Sequence, residues 1–396
     1  MTFFKLNKQQ LLFLIAIIGI TIFKISLFPN RSYDINYFLT PWYEFLKLNG
    51  IKSFGYPFNN YNPPYILLLY ISSLIFQNSI IGIKFVSLVF DFLFADAFSK
   101  IVSIFNPKLK NLSYLFAFGN PLLIVNSSLW GQCDVIYTTF IFYSLYYLLK
   151  QKTLRSLLMY SIAVIFKAQA LFLLPFFIFL VFSKYITIRE AFRGVLIFIF
   201  TFLLSGLIPI LFGRPAISGL IFDNFNSEGV YNTYLAQAST QQQLVLYWVP
   251  TIYNWISNSL YEVFFPSVML YVLAIISLLI WILNKKQFTK LEIDSNLILF
   301  AFTFTTTFVY ILPKMQERYF FAAASLGLLL MFIDKKRIWM PLLLYLPVLV
   351  GDFRGAVTYQ GFIPSFLTPT YGVFFVGICI VYYWYRIFTI NNNTIK

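Results

Sequence analysis

Long apolar runs separated by short polar or basic breaks recur from residue 9 to residue 388. They predict helical spans at roughly 9–29, 79–98, 112–129, 133–150, 155–171, 172–184, 191–212, 263–283, 294–312, 319–333, 338–350 and 370–388. Pro63 to Phe76 (PPYILLLYISSLIF) is equally apolar, but its fourteen residues reach only about 21 Å against a hydrocarbon core of roughly 30 Å. Charge separates the two readings. With 63–76 lying in the interface, the clusters Lys108/Lys110, Lys150/Lys152/Arg155, Lys184/Arg189/Arg193, Lys285/Lys286/Lys290 and Lys335/Lys336/Arg337 all fall inside. With 63–76 as a span, they fall outside. At 155–184, Pro175 marks either a hairpin or a broken helix.

The expected fold is therefore an all-α polytopic membrane protein: one integral domain over residues 1–396, with about twelve transmembrane helices. Residues 30–78 and 213–262 form its two large external loops. Within the first, NYFLTPWYEFLKLNG sets aromatics and Leu at helical spacing beside Glu44 and Lys47. It predicts a helix lying flat, with its rings at headgroup depth. The first apolar run follows Lys5 and Lys8 and has no small-residue cleavage site, so it reads as an uncleaved span. Both termini are then cytoplasmic, in an inner (plasma) membrane protein.

Composition agrees. The chain is 60% hydrophobic and 11% charged, whereas a soluble domain is about half apolar and about a quarter charged. The net charge of +15 follows from basic clusters between spans, not from a nucleic-acid surface. Two distant cysteines give no disulfide framework, and the lack of histidine excludes a His-ligated metal or His base.

The polar residues expected on the external side define the candidate chemistry. Asp34 follows the first span beside Arg31, and Gln132 and Asp134 sit in SLWGQCDVIY. Lys167 and Gln169 sit in VIFKAQALFLLP, and Asp352 and Arg354 in GDFRGAV. Each also has a structural reading. Asp34 and Arg31 can form a surface pair, and Gln132 and Asp134 can cap a helix. Lys167 can snorkel to the interface. Asp91 and Asp96, inside a span, can pair with Lys84 or with backbone.

LPKMQERYFF (312–321) is harder to read as structural. If a helix begins near Pro313, Lys314, Glu317 and Arg318 share one face of its first turns. Two cations there oppose the helix dipole, at about 0.3–1 kcal/mol each, unless an anion completes the arrangement. A phosphate at headgroup depth suits that position, with Glu317 orienting Arg318. A carboxylate base and a phosphate clamp on one membrane face suit sugar transfer from a lipid phosphate. One base deprotonates the acceptor, and the phosphate leaves.

These pieces also resemble a known family. YDINYFLTPWYEFL, YNPPYILLLY, IKFVSLVFDF, NPLLIVNSSLWGQCDVIYTTF, FKAQALFLLP, LYWVPTIYNWI and LPKMQERYFF run in order from residue 33 to about 321. Together they resemble the GT-C superfamily of polyprenyl-phosphate-sugar-dependent glycosyltransferases, in particular the bacterial proteins related to GPI mannosyltransferase II. The resemblance implies a GT-C fold with interfacial helices in the first external loop and Asp34 as the catalytic acid of that loop. It further points to Gln132, Asp134, Lys167, Gln169, Lys314, Gln316, Glu317, Arg318 and Tyr319 as site residues. Two features depart from the family. Asp34 has no neighbouring second acid, and Gln316 stands where relatives commonly carry histidine.

The expected function is an inverting hexosyltransferase, mannose favoured, with a polyprenyl-phosphate sugar as donor and a glycan or lipid-linked acceptor at the external face. Lys314, Arg318 and Glu317 would bind the donor phosphate. Gln132, Asp134, Lys167, Gln169, Gln316 and Tyr319 would contact sugar or acceptor. No cofactor is required; Mg²⁺ or Mn²⁺ fits the external acids but no paired-acid motif demands it. The alternatives are a flippase for a lipid-linked glycan and a non-catalytic partner in polysaccharide assembly.

Overall fold

The computed structural model describes residues 7–214, 249–256, 261–334, 338–357 and 369–390. Every regular element among them is helical. Five helices are long and apolar enough to cross a membrane: Lys8–Ser26, Pro107–Trp130, Ile188–Leu211, Lys290–Ile311 and Tyr371–Phe388. Shorter apolar helices, among them Asp134–Leu149 and Thr153–Phe166, pack between them. This is an all-α membrane protein. Residues 215–248 of the second large loop, where the polar stretch NSEGVYNTYLAQASTQQQ reads as an ordered external loop or a lid, lie outside the described residues, as does the basic cluster at 335–337.

Local sequence sets where the helices begin. Asn78 accepts hydrogen bonds from the Ile80 and Ile81 amides at the head of Ser79–Phe105. Thr187 with Glu190, and Thr289 with Glu292, form reciprocal capping boxes. Exposure then sorts the helices. Ile188–Leu211 leaves Phe192, Leu196, Phe200, Leu204 and Leu211 uncovered, as a helix facing lipid does. Lys290–Ile311 is mostly buried and lies in the centre of the bundle.

Ser79–Phe105 is the longest described helix, at 27 residues, and both of its acids, Asp91 and Asp96, are paired with lysines. Lys24 of the first helix donates to Asp91 at 2.7 Å, with both side chains fully buried, and Ser127 donates to the same carboxylate oxygen. Asp96 pairs with Lys100 at 2.6 Å and accepts from the Tyr143 hydroxyl. The expected pairing of these acids with Lys84 is therefore corrected. Lys24 projects from the neighbouring helix at the right depth, and Lys84 is occupied by backbone carbonyls.

One further expectation holds and two change in part. Pro63–Ile75 is a 13-residue helix, as the length argument requires. The helix expected before it is present, as a π-helical turn, Ile35–Leu39, running into the α-helix Thr40–Asn49. Its rings divide: Tyr37 is exposed, but Trp42 and Tyr43 are buried, the latter donating to the Phe76 carbonyl. Between 153 and 182 the chain does break, but at Lys167 and not at Pro175. Pro175 sits near the start of Leu174–Phe182, where a missing N–H costs nothing.

Candidate functional site

Four chain segments meet at Asp34. The first helix ends at Ser26, and the chain turns through Asn30 and Ser32, which donate to the carbonyls of Leu129 and Trp130 at 2.9 and 2.7 Å. Those carbonyls close a second π-helical segment, Ile124–Trp130, capped by Gly131 at φ +84. Both segments flanking the site are thus wide π turns, a geometry that recurs at functional positions. Gly131 is required twice over. Its backbone is left-handed, and a Cβ there would lie 2.6 Å from Cδ1 of Ile35, the residue after Asp34. Gly131→Ala should therefore lower stability by about 1–2 kcal/mol from the backbone alone, read as a fall in the melting temperature of purified protein.

Arg318 Nη1 donates to Asp34 Oδ2 at 2.7 Å, and Gln132 Nε2 donates to the same oxygen. The Asp34 side chain is 22% exposed, and no described residue bonds its Oδ1. The Tyr61 hydroxyl donates to Gln132 Oε1 at 3.2 Å, orienting the amide. The Trp130 ring lies 5.5 Å from the Arg318 guanidinium. The surface pair between Asp34 and Arg31 does not form. Arg318 takes that place from the distant 312–321 segment.

A second group lies alongside. Lys167 Nζ donates to Asp134 Oδ1, and Asn126 Nδ2 donates to Asp134 Oδ2 at 3.2 Å and to Asp352 Oδ2 at 3.0 Å. Asn126, Asp134, Lys167 and Asp352 are all buried. Lys167 therefore does not snorkel, because Asp134 neutralises it inside the protein. Asp134 makes no capping bond at its own helix; its carboxylate turns to Lys167 and Asn126. Gln169 lies beside the hydroxyl of buried Tyr319.

The helical alignment expected for Lys314, Glu317 and Arg318 is corrected. Residues 312–316 are not helical, Glu317–Phe320 forms a single 3₁₀ turn, and the α-helix starts only at Phe321. Pro313 does not open a helix, because Lys314 adopts a left-handed φ of +58. Lys314 is fully buried, Gln316 is half-buried in extended backbone, and Glu317 is buried beside Arg318.

Burial pushes the Glu317 carboxyl up to about 7, with Arg318 opposing and Asp34 reinforcing the shift. Folding thus binds this proton more tightly than the unfolded chain does. The resulting stability is fully present below the ordinary carboxylate range and is lost as pH rises through about 7. Glu317→Gln should flatten the fall in melting temperature between about pH 4.5 and 7; an unchanged profile would count against a buried, proton-binding Glu317.

Sequence reasoning missed Tyr61 and Asn126. An asparagine inside the apolar run IVNSSLW is costly unless it has partners, which was the available signal for Asn126. Tyr61 gave none, being one tyrosine among 28. Among the described residues, no three acids or cysteines converge as a metal site. Comparison with known proteins gives no relative: no family model, no curated protein and no solved structure matches the chain.

Proposed function

We propose that the chain is an inverting glycosyltransferase of the GT-C type, with about twelve spans and its active site on the external membrane face. It transfers a hexose, mannose favoured, from a polyprenyl-phosphate donor to a glycan or lipid-linked acceptor. The observation that carries this reading is the state of Asp34. Two donors fix its Oδ2, while Oδ1 has no described partner and the side chain is partly exposed.

In the reaction, Asp34 Oδ1 takes the proton of an acceptor hydroxyl. The hydroxyl oxygen bonds to C1 of the sugar as the bond from C1 to the phosphate oxygen breaks, inverting the anomeric centre. The electron pair leaves with polyprenyl phosphate, whose negative charge is met by Arg318. Lys314, fully buried in the same segment, would add its positive charge to that of Arg318. Gln132 and Tyr61 hold the base, and the Asp134–Lys167 group with Gln169, Gln316 and Tyr319 offers hydrogen bonds to sugar hydroxyls.

Purified protein in proteoliposomes with radiolabelled polyprenyl-phosphate mannose and other hexoses tests the proposal. A new glycosidic bond on an added acceptor supports it. Movement of labelled lipid across the bilayer without bond formation would replace it with the flippase reading.

A further inference from the structure

Lys84 is fully buried in the Ser79–Phe105 helix, and its ammonium contacts four backbone carbonyls: Leu27 at 3.3 Å, Phe28 at 3.1 Å, Asn30 at 2.8 Å and Leu129 at 3.1 Å. No described carboxylate pairs with it. A buried ammonium without an acid is costly unless its N–H groups are all used. Two of these acceptors are shared: the Leu27 carbonyl also accepts from the Asn30 amide at 3.2 Å, and the Leu129 carbonyl from Asn30 Nδ2 at 2.9 Å. The carbonyls at 27 and 28 belong to the end of the first helix, and that at 129 to the end of the π segment. Chain ends of this kind leave carbonyls without helical partners.

We propose that Lys84 is a positioning residue, which sets the separation of Asp34 and Gln132 by tying together the two segments that carry them. Asp34 lies four residues beyond Asn30, and Gln132 three beyond Leu129. One turn along the same helix, Ser87 donates to the Gln132 carbonyl at 2.8 Å. Gly131 leaves room for the lysine stem, since a Cβ there would sit 3.4 Å from Lys84 Cε. Asn30 and Ser32 cross-link the same two segments directly. The cation is the only group among these that reaches both segments from a third element. The catalytic consequence rests on the glycosyltransferase reading; the tethering does not.

Two measurements separate these claims. Hydrogen exchange of Lys84→Met in lipid nanodiscs, without substrate, should show lost protection at both 27–36 and 126–134, with the Lys290–Ile311 helix unchanged. Loss at one segment only, at neither, or throughout the bundle would overturn the tethering. Lys84→Gln, which keeps two donors on a shorter stem, should show a smaller loss at the same two segments and serves if Lys84→Met does not fold.

In transfer assays Lys84→Met should lower kcat about 10²-fold, the scale of a misplacement near 1 Å. The donor KM should change by less than about threefold, because Arg318 lies on another segment. A rise in KM that accounts for the whole loss, or an unchanged kcat, would overturn the catalytic role. If the unsubstituted protein makes no glycosidic bond, the functional reading fails, and exchange alone decides the tethering.

Discussion

Asp34→Asn is expected to reduce sugar transfer about 10²- to 10⁴-fold, the range supplied by a positioned general base. The substitution is nearly isosteric. Its amide oxygen still accepts from Arg318 and Gln132, so the fold around the site should persist. What it cannot do is take up the acceptor proton. Donor binding should be almost unchanged, since the phosphate is assigned to Arg318. The loss should therefore appear in kcat, with KM close to that of the parent. Rates measured with radiolabelled polyprenyl-phosphate hexose provide the check. Transfer as fast as the parent would remove Asp34 from the mechanism.

Lys24→Met is expected to have the largest effect on stability, about 3–5 kcal/mol, because removing one partner strands the other charge in the interior. Asp91 would then keep only the Ser127 hydroxyl on Oδ2, while its Oδ1 has no described partner. The lysine also sits over the Phe118 ring at 4.6 Å, a contact the thioether replaces only in part. Thermal unfolding in detergent measures the loss. The double variant Lys24→Met/Asp91→Leu should recover much of it, since a paired charge and an apolar replacement of similar volume are often close in energy. A double variant as unstable as the single one would show that packing, not the stranded carboxylate, sets the cost.

Hydrophobic patterning carried the architecture a long way. Most expected spans coincide with described helices, because a run of apolar residues broken by basic clusters has few other solutions. The short Pro63–Ile75 helix was legible for the same reason. Register within a segment was not. Nothing in LPKMQERYFF announces that Lys314 turns left-handed and delays the α-helix to Phe321. Pairing was also opaque. The partner of Asp34 lies 284 residues away and that of Asp91 lies 67 away. Local sequence suggests neighbours such as Arg31, and only the packing of distant helices overrides them. Asp34, Gln132 and Arg318 could each be named from the chain. That one carboxylate oxygen receives both donors could not.

The buried Lys24–Asp91 contact has a consequence for biogenesis. Synthesis delivers Lys24 to the membrane with the first helix, before the helix that carries Asp91 has left the ribosome. Until then the ammonium is a lone charge near one end of a hydrophobic segment, able to reach headgroups or water. Arrival of Ser79–Phe105 turns that liability into a latch, drawing the two helices together out of the lipid. The order of translation thus favours a first assembly step in which these helices join as a pair, leaving later segments to close around an Asp34 loop already anchored at its base.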